Sequence, residues 1–422
     1  MSLRAILDAP VFRAPILRAL GHRNYRLYFG GQIVSIIGSW MQQIALAWLV
    51  YRLTHSTVML GVVTFATQIP NLFLAPLGGV LSDRFSRRRI LIATTSLAAL
   101  QAAVLAGLTW SGLMQPWIIV VMAALLGLVN GIDQPVRQAF VPELVTRRED
   151  IANAVALTSF TIHSSRFLGP MIGGLVVAAF GEGACFALNA VSFLGVIWAL
   201  AIMRVNPVPA VHRRVIDALR EGFTYAAGHP AIRLLLCIVA VMALFSGSYQ
   251  TLLPYFARDV YHGDVQAFGL MTAAGGLGAC LGAIFLASQK DIAGIERKIV
   301  LSALSVSVGL TVFAFTHVFA VALACLVVMG FCSINTVAAS NALIQSLVDD
   351  GMRGRVMALF TMAFFGLSPV GNLAVGYAAR QIGVQPTLLV CAGAIFLLAV
   401  TAWQTRRSVS FALPAEAKPD AS

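Results

Sequence analysis

Gly79-Val80-Leu81-Ser82-Asp83-Arg84-Phe85-Ser86-Arg87-Arg88 is the stretch whose reading decides the fold. It joins two long apolar runs, 58–81 and 90–111, and it packs an acid and a cluster of arginines into a turn too short to be a domain. Charge concentrated between apolar flanks reads as a tight cytoplasmic turn between two membrane helices. Arginine is retained on the cytoplasmic face during insertion, and Asp83 is placed to bond a neighbouring helix end. In a soluble protein the same run would be a solvated face; the apolar runs on both sides exclude that reading.

Composition agrees. Of 422 residues, 59% are hydrophobic and 11% charged, with a mean hydropathy of +0.85. A soluble domain carries roughly 25% charged residues. The missing charges mean that most of the surface faces lipid, so the chain is a polytopic membrane protein. Six cysteines (Cys185, Cys237, Cys280, Cys325, Cys332 and Cys391) all lie in apolar stretches and form no C-x-x-C pair, so no disulfide framework, metal site or other cofactor is expected. The first 26 residues carry Arg4, Arg13, Arg18, Arg23 and Arg26 without a small-residue cleavage site, which argues against a removable signal peptide. Leu3, Ile6, Leu7, Ile16, Leu17 and Leu20 recur at helical spacing there, as in a basic amphipathic stretch on the membrane surface; a disordered tail is the alternative.

A spanning helix needs about 20 apolar residues. Twelve such segments are expected, at 27–51, 58–81, 90–111, 116–140, 152–179, 184–203, 233–257, 266–288, 299–316, 319–346, 356–378 and 385–404. The longest polar interruption, with Pro207, Pro209, Arg213, Arg214, Asp217, Arg220 and Glu221, divides them into halves. The expected organisation is therefore a cytoplasmic N-terminal segment 1–26, a six-helix bundle 27–203, a cytoplasmic linker 204–232, a second six-helix bundle 233–404 and a cytoplasmic tail 405–422. With both termini cytoplasmic, 25 of the 29 lysines and arginines fall on the inner side, Arg52, Arg258 and Arg380 on the outer, and Arg166 inside a helix. This division follows the positive-inside rule and accounts for the net charge of +12 without nucleic acid. Within the linker, Ile216, Leu219 and Phe223 are spaced as in a short amphipathic surface helix; a flexible connector is the alternative. The halves read as diverged copies: Leu60-Gly61 and Asp83 match Phe268-Gly269 and Asp291 at a constant offset of 208, and Pro170 and Pro369 fall in the fifth and eleventh spans.

Polar side chains are costly in lipid and mark surfaces facing protein or water. Gln32, Ser35, Gln42 and Gln43 lie in the first span, Gln68 and Asn71 in the second, and Asn130, Asp133 and Gln134 in the fourth. The fifth holds Thr158, Ser159, Thr161, His163, Ser164, Ser165 and Arg166. Spans three, six, nine and twelve are largely apolar, relieved by Gln101 and Asn189. Every third helix on the lipid side is what two bundles around a central cavity require, although about half of these groups are expected to make only interhelical hydrogen bonds.

With these features the chain resembles the major facilitator superfamily of secondary transporters. That family's loop motif, G-x-x-x-D-R-x-G-R-R, is matched by Gly79, Asp83, Arg84, Arg87 and Arg88, with Ser86 replacing a glycine. The resemblance implies that the Asp and Arg of this loop latch the halves together, with Asp83 facing the start of the eleventh span near residues 354–357. Gly169-Pro170-Met171-Ile172-Gly173-Gly174 resembles the G-P-x-x-G-G motif of the superfamily's antiporters; a packing kink is the plainer reading of the same residues. Asn24-Tyr25-Arg26, residues 51–56, Asp133-Gln134-Pro135-Val136-Arg137-Gln138 and Arg353-Gly354-Arg355-Val356 are similar to the subgroup of the enterobactin exporter and related multidrug exporters.

The resemblance implies an all-α membrane protein of twelve helices in two pseudo-symmetric bundles, in a bacterial inner membrane, that moves a small molecule by alternating access. A proton-coupled exporter of a siderophore, drug or other natural product is expected, with lipid and substrate as its partners and a monomer as its state. Uptake of a nutrient, or lipid movement, uses the same fold. A membrane sensor and an embedded enzyme, for which Gly366-Leu367-Ser368-Pro369 is a superficial match, are remote. The chain has no G-x-x-x-x-G-K-[ST] loop, so an ion gradient is the expected energy source. Proton coupling needs a titratable group within the membrane. The candidates are Asp133, about 24 Å along the fourth span, and His163 near the middle of the fifth. Arg166, one turn from His163 on the same face, must find a partner, water or an anionic substrate group. Asp133 has a structural alternative in a bond to Arg137 one turn on; His163 has one as a packing histidine. Gln42, Gln43 and Asn130 complete the candidate contacts.

Overall fold

The computed structural model describes residues 15–203, 215–247, 249–289 and 294–405; within these, the side chains of Pro15, Ile16, Pro76, Val80, Asp83 and residues 215–220 are not described. The first fourteen residues with Arg4 and Arg13, the linker stretch 204–214, the repeat match at Asp291, and the tail beyond Thr405 lie outside the described residues.

Twelve long helices make up most of the described residues. In order they are α1 (Arg23–Thr54), α2 (Thr57–Arg84), α3 (Arg87–Trp110), α4 (Pro116–Phe140), α5 (Ile151–Phe180), α6 (Glu182–Ile202), α7 (Pro230–Val260), α8 (Val265–Ala287), α9 (Ile295–Phe315), α10 (Phe319–Leu347), α11 (Arg353–Ile382) and α12 (Val384–Thr405). Eleven of them, among the described residues, are long and apolar enough to cross a bilayer. The other, α5, has the length at 30 residues, but its run from Thr158 to Arg166 lowers its apolar content. The chain is thus an all-helical membrane protein, as expected, with helices generally a few residues longer than the apolar runs.

Local chemistry sets the ends. Ser56 caps α2 by accepting from the Met59 N–H at 3.3 Å. Proline begins α4 and α7, where its missing N–H would be unpaired in any case. The α5–α6 and α11–α12 junctions each turn on one glycine at positive φ, Gly181 (79°) and Gly383 (93°). These two turns occupy corresponding places in the two halves.

By contact the chain divides into two compact units: Met1–His212 with Leu253–Gly276, and Arg213–Leu252 with Leu277–Ser422. Inside the first, α1 packs on α5 and α6, α2 on α4, and α3 on α4 and α6. Inside the second, α7 packs on α11 and α12, and α9 on α10 and α12. First helix on fifth and sixth, third helix on fourth and sixth: the pairing repeats, which is the three-dimensional form of the weak internal repeat.

Between helices in lipid there is little hydrophobic driving force, and close backbone approach through small residues replaces it. The α2–α4 crossing shows how. A Cβ on Gly127 would lie 2.5 Å from the Thr67 carbonyl oxygen, one on Gly131 2.8 Å from the Leu74 Cβ, and one on Gly78 2.7 Å from the Pro135 ring. In the second unit, Gly371 of α11 meets the Leu244 carbonyl and Gly278 of α8 the Val327 carbonyl, each too closely for any side chain.

A 3₁₀ turn (Pro15–Gly21) buries Ala19 and Leu20 in a cluster with Tyr25, Tyr28, Phe140 and Leu144. In the linker a helix does form, Val215–Gly228. It is held to the start of α11 by Glu221–Arg355 at 2.8 Å and to the preceding loop by Tyr225–Asp349 at 2.9 Å, while Phe223 stands 68% exposed. The apolar pattern did not foretell two wide π turns in α7, Met242–Ser246 and Phe256–Val260, and one in α11, Met362–Gly366.

Replacing Gly127 by Ala should therefore destabilise the protein by about 1–3 kcal/mol, the usual cost of overpacking. The thermal midpoint of the detergent-solubilised variant should fall. Gly107→Ala, where nothing lies within 4 Å, should leave the midpoint unchanged or raise it slightly.

Candidate functional site

The loop motif ends α2 and begins α3, and its arginines close helix ends. Arg87 donates through Nη1 to the Ala139 carbonyl at 3.1 Å, near the end of α4, and to Glu143 at 2.5 Å. Arg88 donates through Nε to the Leu200 carbonyl at 2.6 Å and through Nη2 to Ala201 at 2.5 Å, both in the last turn of α6. A helix C-terminus carries partial negative charge and unpaired carbonyls, so each cation neutralises and caps at once. Arg84 is exposed, and the Asp83 side chain lies outside the described residues. Gly79 has open space around it; the glycine of α2 that permits close approach to α4 is its neighbour Gly78.

Asp133 of α4 is buried and has both oxygens engaged. Oδ1 accepts from Thr94 Oγ1 of α3 at 2.6 Å, and Oδ2 accepts from Arg137 Nε at 2.6 Å. The i, i+4 spacing places carboxylate and guanidinium on one face. Arg137 Nη1 is buried with no hydrogen-bond partner among the described residues. The Asp133–Arg137 bond weighed from sequence is present, and Thr94 is the partner that sequence reasoning missed.

Gln42 does not stand alone. Asn189 Nδ2 donates to its Oε1 at 2.8 Å, and its Nε2 donates to Gln101 Oε1 at 3.0 Å. Gln101 passes the chain on to the Met122 carbonyl at 3.1 Å, and Ser192 bonds Asn189. This network ties α1, α3, α4 and α6 and includes the only two polar exceptions singled out in spans three and six. Gln43 is exposed and Asn130 half-buried; neither joins the network.

In α5 the glycines of the Gly-Pro motif serve two neighbours. A Cβ on Gly169 would lie 2.4 Å or so from Trp40, and one on Gly173 3.0 Å from the Met41 Cα, so this face receives α1. A Cβ on Gly174 would lie 3.0 Å from the Val265 carbonyl oxygen, and Gly269 approaches the Pro170 carbonyl, so the adjoining face receives α8. The motif lets three backbones meet. One turn before it, the Arg166 guanidinium lies 5.8 Å from the centre of the Trp40 ring, a cation–π distance. His163 Nδ1 is buried with no hydrogen-bond partner among the described residues.

Near the other end of α1, Arg52 grips Glu182 at the start of α6 through two bonds of 2.9 and 3.2 Å. Beside it Tyr51 donates from Oη to Asp259 Oδ2 at 2.5 Å. These partners are 130 and 208 residues apart in sequence, and no local pattern announces them.

The family described as transmembrane secretion effectors matches residues 15–418. The chain is 27% identical over 369 residues to a staphyloferrin A transporter of Staphylococcus aureus, covering 86% of this chain and 92% of that one. It is 25% identical over 346 residues to the enterobactin exporter EntS of Shigella boydii, covering 81% of each. Among solved structures the nucleoside transporter NupG superposes with a TM-score of 0.74 at 13% identity, over 91% of this chain and 98% of that one. A POT family transporter in complex with 5-aminolevulinic acid gives 0.71 at 9% identity, over 92% and 97%. The protein therefore belongs to the transmembrane secretion effector family, has the major facilitator fold, and is a small-molecule transporter, not an enzyme.

Proposed function

We propose that this protein is a proton-coupled exporter that carries an anionic small molecule, of the siderophore or related natural-product class, out across a bacterial cytoplasmic membrane by alternating access. In this reading both termini lie on the cytoplasmic side, and 27–203 and 233–404 are the two bundles. The observation that carries the reading is the polar stretch of α5. It carries His163 and Arg166 one turn apart on one helix face, with Arg166 over the Trp40 ring. A cation held over an aromatic ring within the membrane can take an anionic group while the ring offers an apolar surface for the rest of the ligand. Two relatives, a staphyloferrin A transporter and an enterobactin exporter, support the substrate class. The family description as secretion effectors supports the outward direction.

The proton site in this reading is Asp133. Protonation removes the charge that holds Arg137 and leaves a buried guanidinium short of its partner. Breaking a buried pair in this way costs several kcal/mol, so proton uptake there cannot be silent. The consequence is a rearrangement at the α3–α4 contact, next to the loop whose arginines cap α4 and α6.

In inside-out vesicles, collapsing the pH gradient while keeping the membrane potential should abolish most accumulation of substrate; accumulation that continues at full rate would show that protons do not drive transport. Asp133→Asn, which keeps the size of the side chain, should lower gradient-driven transport at least about tenfold while leaving downhill exchange of substrate. Equal loss of both activities would place Asp133 in the framework alone. Arg166→Ala should weaken binding of anionic substrates about tenfold, the worth of a charged hydrogen bond, with Arg166→Lys retaining part of it. Unchanged affinity in both variants, by equilibrium binding, would remove Arg166 from the substrate site.

A further inference from the structure

Arg297 stands in the first turn of α9 and Trp403 in the last turn of α12. The guanidinium carbon lies 5.8 Å from the centre of the Trp403 ring. Arg297 is exposed, and among the described residues no carboxylate pairs with it. Lys298 beside it is exposed too and donates from Nζ to Gln289 Oε1 at 2.6 Å. Around these two helix ends the sequence sets Lys290, Arg297, Lys298, Arg406 and Arg407 against Asp291 and Glu296. Cations are in excess here, next to a tryptophan of the kind that sits at headgroup level.

From that end an apolar surface leads into the membrane. Arg297, Leu301, Val308 and Val312 recur at spacings of four and seven, which keeps them on one face of α9, and all four are exposed. On α12, Phe396 lies two turns before Trp403. Between the two helices opens a groove of about 360 Å³, lined by Ser307, Thr311 and Val312 of α9 and by Ala392, Gly393 and Phe396 of α12. Its hydroxyls are already used. Ser307 Oγ donates to the Ala392 carbonyl at 2.8 Å, and Thr311 Oγ1 donates to the Ser307 carbonyl at 3.0 Å. What the walls still offer is hydrocarbon, which receives an acyl chain and gives a polar ligand nothing. A Cβ on Gly393 would meet nothing within 4 Å, so this residue keeps the groove open.

The depth fits as well. Ser307 is ten residues beyond Arg297, about 15 Å along the helix axis. A bilayer of about 40–45 Å places headgroups about 20 Å from its midplane. A lipid whose phosphate reaches Arg297 therefore brings its acyl chains to the groove before the midplane.

We propose that the α9–α12 face binds one anionic phospholipid, with its headgroup on Arg297 beside Trp403 and one acyl chain in the groove at Gly393. Arg297 gives the phosphate a charge-assisted hydrogen bond. The Trp403 ring holds the guanidinium at the level of the headgroups, and the groove selects a chain-bearing ligand over a free anion. The site belongs to one helix pair and does not depend on the direction or coupling of transport.

The test uses the purified full-length protein, stripped of lipid by detergent exchange and titrated with phosphatidylglycerol or phosphatidylcholine under native mass spectrometry. One phosphatidylglycerol per chain should bind about tenfold more tightly than phosphatidylcholine, whose choline sets a second cation beside Arg297. Arg297→Gln should remove that preference. Gly393→Leu should fill the groove and weaken both lipids about tenfold. Lipid-free thermal midpoints of both variants should match the parent's, and added phosphatidylglycerol should raise the midpoint of the parent but not of Arg297→Gln. Equal binding of the two lipids by the parent, or phosphatidylglycerol binding unchanged in both variants, would overturn the site. Glycerol phosphate binding as tightly as the whole lipid would reduce it to a free-anion site and overturn the lipid. So would a dimer that Gly393→Leu dissociates, because the groove would then belong to a second copy of the chain.

Discussion

Helices in a bilayer gain little by hiding apolar side chains from one another, because lipid hides them equally well. What holds this protein together is therefore proximity of backbone to backbone, and glycine supplies it. Gly78, Gly127 and Gly131 bring α2 and α4 together; Gly169 and Gly173 bring α5 to α1; Gly371 seats α11 on the Leu244 carbonyl. At such distances dispersion acts over many atom pairs, each worth only about 0.1–0.2 kcal/mol. The polar content depends on this framework. The Gln42–Gln101–Asn189 amides and the Thr94–Asp133–Arg137 group reach their partners because the helices carrying them are already close.

The same constraint separates structural from functional polarity. A polar group in a closely packed interface with its partners supplied has no capacity left for a ligand, and Gln42 is of this kind. Asp133 is saturated too, but with a charge, so adding a proton to it changes what Arg137 can do. Arg166 differs from both. Its guanidinium is set against the face of Trp40, 5.8 Å from the ring centre.

Much of the architecture could be read from composition, since apolar length and arginine placement are properties of the chain itself. The helical membrane fold, the positions of the long apolar helices and the prolines within α5 and α11 are all of this sort. The Asp133–Arg137 pair was legible because its residues are four apart on one helix. Partners distant in sequence were not. Thr94 on Asp133, Asn189 on Gln42 and Asp259 on Tyr51 have no periodic signature and depend on which helices become neighbours. The π turns of α7 and α11 were invisible for another reason: one extra residue in a turn leaves average hydropathy unchanged. The loop motif named Gly79 by pattern, while contact geometry depends on Gly78. A motif records a spacing, and the atom that needs the space can be the next one along.

Arg88 and the end of α6 have a bearing on biosynthesis. The guanidinium and the carbonyls it caps are separated by 112 and 113 residues. At the ribosome's pace of about 5–20 residues per second, between about 6 and about 22 seconds pass after Arg88 is made before its acceptors exist. Over that interval the nascent bundle lacks its closing cap, and the arginine's charge is available to the translocon as a topological signal. One side chain thus serves two stages in succession, first as an address label and later as a bolt.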